Sequence, residues 1–105
     1  MSEVNNDGCV GSHLINKYVL VRTYTAGVHF GVLKFRNGRD VTLLKGRRIW
    51  SWSGANTLHE IANSGVNSES KISEEVSLIE LTEAVEIIAV SPLAVKVLSS
   101  IGWGL

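Results

Sequence analysis

In the first half of the chain, apolar positions recur every second residue, the period of a strand with two unlike faces. Residues 18–24 place Val19 and Val21 on one side and Tyr18, Leu20 and Arg22 on the other. Thr25-Ala26-Gly27 then turns the chain. Residues 28–35 repeat the alternation, with Val28, Phe30 and Val32 opposed to His29, Gly31 and Leu33. Arg36-Asn37-Gly38-Arg39 sets Asn-Gly between two apolar runs, a strong hairpin signal. A third strand follows over 40–44. Lys45-Gly46 interrupts it in the manner of a bulge, and residues 47–52 continue it or form a fourth.

The period changes after Trp52. Thr57-Leu58-His59-Glu60 matches the Thr-x-x-Glu capping box, Leu58, Ile61 and Ala62 keep helical spacing, and Gly65 ends the helix. Residues 67–75 read as a polar loop. Residues 76–90 are apolar and β-branched with interleaved glutamates, too long for one strand, with a bend at 82–84. Ser91-Pro92 is an N-cap with proline at the first helical position, and Leu93, Val97, Leu98 and Ile101 line one face of a closing helix. The expected fold is α+β: a mostly antiparallel sheet of about five strands with two short helices. Residues 1–16 are expected to form a flexible N-terminal arm, and residues 17–105 a single domain.

Composition narrows the functional classes. Net charge is zero, but between residues 17 and 48 eight cations face only Asp40, a local +7. Between 60 and 86 seven glutamates face only Lys71, a local −6. Such halves neutralise each other within the fold or across a subunit contact, or leave a basic anion site on an otherwise acidic surface. The balance disfavours a DNA or RNA polymer as partner. One cysteine, Cys9, permits no intrachain disulfide, which fits a reducing cytoplasm. No apolar run approaches the roughly 20 residues of a membrane span, and the polar, acidic start is unlike a signal peptide. The low charged fraction of 19% suits a chain that covers part of its surface in a homo-oligomer.

No catalytic signature stands out. His13, His29 and His59 fall in three different elements and match no zinc spacing, and no nucleophile with its base is visible. The reading is therefore not an enzyme, with no cofactor and no metal. One constellation rises above the background: Gly46-Arg-Arg-Ile-Trp-Ser-Trp-Ser-Gly-Ala-Asn56. In a strand, Arg48, Trp50 and Trp52 share one face, and Arg47, Ile49 and Ser51 share the other. Two readings stay open. The rings form a core with arginine packed flat upon them, or the arginines hold phosphate while the rings stack on a base. On the second reading only one of Arg47 and Arg48 meets the anion. Trp50 is then expected in the core and Trp52, beside the turn, against the ligand. Gly54 lets backbone approach the ligand, and Asn56 lies where the helix N–H groups begin. His29 reads as a strand residue at a sheet face or subunit contact. The candidate binding set is Arg47, Arg48, Trp52, Gly54, Asn56 and His29.

Three stretches carry a resemblance: Lys-Tyr-Val-Leu-Val-Arg-Thr-Tyr-Thr-Ala-Gly-Val-His-Phe-Gly (17–31), Arg-Arg-Ile-Trp-Ser-Trp-Ser-Gly-Ala-Asn-Thr-Leu-His-Glu-Ile-Ala (47–62) and Leu-Thr-Glu-Ala-Val-Glu-Ile-Ile (81–88). They resemble the first type of phage-encoded Thoeris anti-defence proteins. That resemblance implies a sponge in the host cytoplasm. Members bind and sequester cyclic ADP-ribose isomers made by bacterial TIR-domain proteins and do not cleave them. Some also hold cyclic oligonucleotides at a separate site, and they assemble as dimers or higher oligomers, including hexamers. After Val90 this chain departs from the pattern, with Lys96 as its only cation there. The alternative reading is a protein-binding inhibitor of a host defence complex or nuclease.

Overall fold

In a computed structural model of the chain, residues 13–101 are described here. Six antiparallel strands form one sheet: β1 (Tyr18–Thr23), β2 (Val28–Asn37), β3 (Asp40–Ser51), β4 (Lys71–Ile72), β5 (Val76–Leu81) and β6 (Ala84–Ala89). Helix α1 (Leu58–Ser64) lies between β3 and β4, and α2 (Pro92–Ser100) follows β6. The α+β class expected from the sequence is the observed one. Residues 40–51 are one continuous strand, the first of the two alternatives left open at Lys45-Gly46. One detail differs from the count of about five strands: the expected polar loop contains β4, a two-residue strand on the end of β3.

The ladders run β4-β3-β2-β1-β6, and β5 pairs with β3 along the stretch that β4 leaves free. β5 and β6 therefore occupy opposite edges, yet only Thr82 and Glu83 connect them. In a flat sheet these edges would lie four strand spacings apart, about 19 Å. Three Cα steps from Leu81 to Ala84 reach at most about 11 Å. The sheet must curl until its edges meet at this corner. The Ala84 N–H donates to the Arg39 carbonyl at 3.1 Å and the Tyr24 N–H to the Glu83 carbonyl at 3.0 Å, pinning the closure.

Curling gives the sheet two cores. Inside lie Val19, Val21, Leu33, Val41, Leu43, Leu81 and Ala84. Leu14 and Ile15 pack against them, so residues 13–16, expected within the flexible arm, form a turn seated on the sheet; residues 1–12 lie outside the described residues. The Asn16 N–H donates to the Leu33 carbonyl at 2.6 Å. On the other side Leu20, Phe30, Ile49 and Ile72 meet Ile61, Ala62 and Leu98 of the two helices. Fully burying a side chain such as Phe30 or Leu20 stabilises the fold by about 1.5–3 kcal/mol.

Local chemistry sets the ends of the elements. The β2–β3 turn is centred on Gly38 and Arg39, one residue later than Asn-Gly suggested. Asn37 pairs with Asp40, and Gly38 takes φ +60° at the first central position, as in a type II′ turn. Thr57 caps α1 by accepting from the Glu60 N–H at 3.2 Å; Glu60 reaches back to the Asn56 N–H at 2.6 Å. Ser91 caps α2 by accepting from the Ala94 N–H at 3.0 Å. Its own hydroxyl donates to the Asn63 carbonyl, tying α2 to α1. The bulge on β3 falls where expected. Phe30 pairs with Arg47 and Val32 with Leu44, so Lys45 and Gly46 together oppose Gly31. Lys45 adopts φ +56° there. Among the described residues no helix is long and apolar enough to cross a membrane.

Candidate functional site

Arg47 and Arg48 leave β3 on opposite sides, and their surroundings differ completely. Arg47 enters the helix side, where it is 8% exposed. Its Nε donates to the Ser73 carbonyl at 2.8 Å, Nη1 to the Leu98 carbonyl at 3.0 Å and Nη2 to the Ile101 carbonyl at 2.7 Å. The last turn of α2 has no basic residue of its own, so Arg47 supplies the cation that its carbonyl end favours. Burial lowers the Arg47 pKa and Glu75 opposes that shift; the guanidinium stays charged at neutral pH. Arg47 is therefore a clasp between β3 and α2, and its donors point away from the side of the sheet that Arg48 and His29 occupy.

Arg48 points to the other side and is exposed. Among the described residues its guanidinium makes no hydrogen bond or ion pair; only its backbone N–H is engaged, by the Ser73 hydroxyl at 2.8 Å. Its partner across the ladder is His29. The two border a cleft of about 190 Å³ together with Gly46, Arg47, Ser73, Val76 and Ile79. His29 is 1% exposed, and its Nε2 lies 3.0 Å from the Ala26 carbonyl. Burial lowers the His29 pKa below its ordinary 6.5; the hydrogen bond to Ala26 opposes the shift and the charge of Arg48 adds to it.

Trp50 follows Arg48 on the same side of β3, about 7 Å further along. It is 57% exposed, so the expectation that it joins the core is corrected. The reason is the curl: the inner core ends before Trp50, and the helices cover only the opposite side. Lys71 on β4 brings its ammonium within 5.8 Å of the Trp50 ring centre, within cation–π range. Trp52 lies just past the strand and is 36% exposed.

The remaining candidates are spent on local structure. Gly54 adopts φ +87°, and a Cβ there would stand 3.0 Å from the Asn67 backbone nitrogen. The Ser53 hydroxyl donates to Asn67 Oδ1 at 2.6 Å, and the Ser53 N–H donates to the Ser70 hydroxyl at 2.9 Å. This segment is thus bound to loop 66–70. The Asn56 N–H is taken by Glu60. Gly54 and Asn56 do not line the cleft. The structure brings Arg48 and His29 together, with Trp50 alongside, and separates them from Gly54 and Asn56. Sequence reasoning missed Lys71 and Ser73. Both lie in the expected polar loop, and only the long-range pairing of β4 with β3 brings them here.

A larger hollow, about 510 Å³, lies elsewhere, between the β2–β3 turn and β6. Arg36, Arg39 and Glu86 border it, but Glu86 is held by Arg22 at 3.1 Å, and among the described residues no aromatic ring lines it. Chemistry rather than volume singles out the His29–Arg48 cleft. Among the described residues no three His, Cys, Asp or Glu side chains gather as a metal site would require.

No curated protein and no solved structure matches the chain. The family described as Domain of unknown function (DUF6948) matches residues 16–98. That span begins just before β1 and ends inside α2, taking in every strand, both cleft walls and Arg47 with its Ser73 and Leu98 partners, and the chain belongs to the DUF6948 family.

Proposed function

We propose that the protein is a binding protein that holds a small phosphate-bearing nucleotide, of the cyclic ADP-ribose type, and sequesters it without cleaving it. The observation that carries this reading is the unpaired, exposed Arg48 beside the exposed Trp50, with Lys71 next to the ring. A guanidinium offers paired donors to phosphate, and an indole offers a face to any base. The resemblance to the Thoeris anti-defence proteins supports the same ligand class, a phage origin and action in the host cytoplasm. Among the described residues the one hydroxyl at the cleft, that of Ser73, donates to the Glu74 carbonyl and not to a base, which favours holding over turnover. The test is direct. Protein is incubated with cyclic ADP-ribose, freed of unbound ligand and heat-denatured. A sponge returns the ligand intact and in stoichiometric amount. Recovery of a hydrolysed product, or of nothing, defeats the proposal.

A second reading rests on a separate observation. Phe35 on β2 and Val76 and Leu78 on β5, the strands that flank β3, are exposed apolar side chains, and among the described residues β5 pairs only on its β3 side. Such an edge suits contact with another protein or another copy of this chain. A homo-oligomer, dimer or hexamer, is expected in light scattering, and a species of 11.4 kDa at low concentration would exclude it.

A further inference from the structure

His29 is buried in the wall of the cleft, yet only one of its ring nitrogens has a partner. A carbonyl oxygen accepts and never donates, so the contact of Nε2 with the Ala26 carbonyl fixes the proton on Nε2. The neutral ring then holds a bare lone pair on Nδ1. No described residue donates to it. Buried acceptors of this kind are uncommon in folded proteins because each forfeits the hydrogen bonds it made with water. The ring cannot relieve the deficit by taking a second proton. Burial and the charge of Arg48 across the ladder both oppose the imidazolium. Val21 and Arg48 flank His29 across the two ladders, and the ring is 1% exposed.

The cleft of about 190 Å³ is too small for a whole nucleotide and large enough for the edge of a base or one side of a ribose. Arg48 stands beside it with its donors free, and Trp50 offers a ring face outside it. We infer that His29 Nδ1 reads the ligand by accepting a hydrogen bond from an exocyclic amine of the base or a ribose hydroxyl. This deepens the nucleotide reading above and rests on it. Arg48 supplies affinity for any phosphate, whereas His29 selects among nucleotides according to whether a donor enters the cleft. A ligand with a carbonyl oxygen at that position sets acceptor against acceptor and is rejected.

The experiment uses the full chain and three probes: cyclic ADP-ribose, its inosine counterpart with a carbonyl oxygen in place of the exocyclic amine, and its 2′-deoxy form. Tryptophan fluorescence titrations measure each affinity. Nitrogen-15 spectra of the histidine ring follow Nδ1 with and without ligand. The expected result is a protonated Nε2 in the free protein, movement of the Nδ1 resonance on saturation, and a loss of at least about tenfold in affinity for one of the two altered probes. Weakening of the inosine form identifies the amine as donor, and weakening of the deoxy form identifies the hydroxyl. His29→Leu should bind all three alike; if that variant does not fold, the wild-type comparison decides alone. Tight binding of all three probes with an unmoved Nδ1 overturns the inference and leaves the nucleotide reading standing. Failure of all three probes to bind overturns both.

Discussion

Arg47 and Arg48 are neighbours of identical chemistry with opposite fates. One gives three of its five N–H donors to the backbone carbonyls of Ser73, Leu98 and Ile101. The other gives none and lies exposed on the opposite side of the strand, beside His29 and Trp50. Strand alternation guarantees that they part, but it does not say which goes where. That is settled by α2, whose carbonyl end lacks a basic residue and lies over Arg47's side of the sheet. A buried arginine is therefore no evidence of a ligand when carbonyls already occupy it. An unpaired arginine beside an exposed ring is the stronger lead.

The comparison breaks most visibly at Arg47. Arg47→Ala leaves the buried carbonyl of Leu98 and the part-buried carbonyls of Ser73 and Ile101 without their donor. Each such group costs about 1–3 kcal/mol, so the loss should reach about 3 kcal/mol or more in chemical denaturation. Arg47→Lys should recover part of this, since one ammonium cannot span three carbonyls. A loss under about 1 kcal/mol for the alanine variant would dissolve the distinction between the two arginines.

Arg48→Ala should do the reverse. Its melting temperature should match wild type closely, while affinity for cyclic ADP-ribose falls about tenfold to a hundredfold, the worth of a charge-assisted contact at about 1.5–3 kcal/mol. Unchanged binding would remove Arg48 from the site. Trp50→Ala sharpens the same contrast. A core tryptophan would cost about 3–5 kcal/mol of stability, whereas a ring 57% exposed should cost far less. The variant is expected to melt nearly normally and to lose stacking worth about 1–3 kcal/mol in binding. A collapsed melting temperature would return Trp50 to the core.

The smallest effect concerns His29. Its pKa in the fold lies below the usual 6.5, so at low pH the unfolded chain takes up a proton that the folded ring resists. The stability present above pH 6.5 should therefore decline as pH falls below that value. Thermal melts of wild type and His29→Gln across that range isolate the contribution. The wild type should lose more stability on acidification than the variant, and parallel curves would show that the ring titrates freely.

Much of the fold can be read from the chain alone, because it follows from short-range rules. Period-two alternation marks β1 to β3, and Lys45-Gly46 marks the bulge. Thr57 and Glu60 mark the start of α1, and Ser91-Pro92 the start of α2. Each rests on interactions within a few residues, so neighbouring residue types suffice to reveal it. The split of residues 76–90 at Thr82 and Glu83 was legible for the same reason. The site was legible in part: alternation separates Arg47 from Arg48 and groups Arg48 with Trp50.

What the tertiary structure alone decided depends on contacts distant in sequence. Two residues at 71 and 72 become a strand only because the end of β3 offers them unpaired backbone groups. That pairing carries Lys71 to Trp50 and places Ser73 beneath both arginines. The curl of the sheet, forced by a two-residue link between opposite edges, ends the inner core before Trp50 and leaves that ring exposed. The side on which α2 docks turns Arg47 into a clasp and leaves Arg48 open. Alternation supplies two faces of equal standing, and only the packing of the rest of the chain makes one of them the interior.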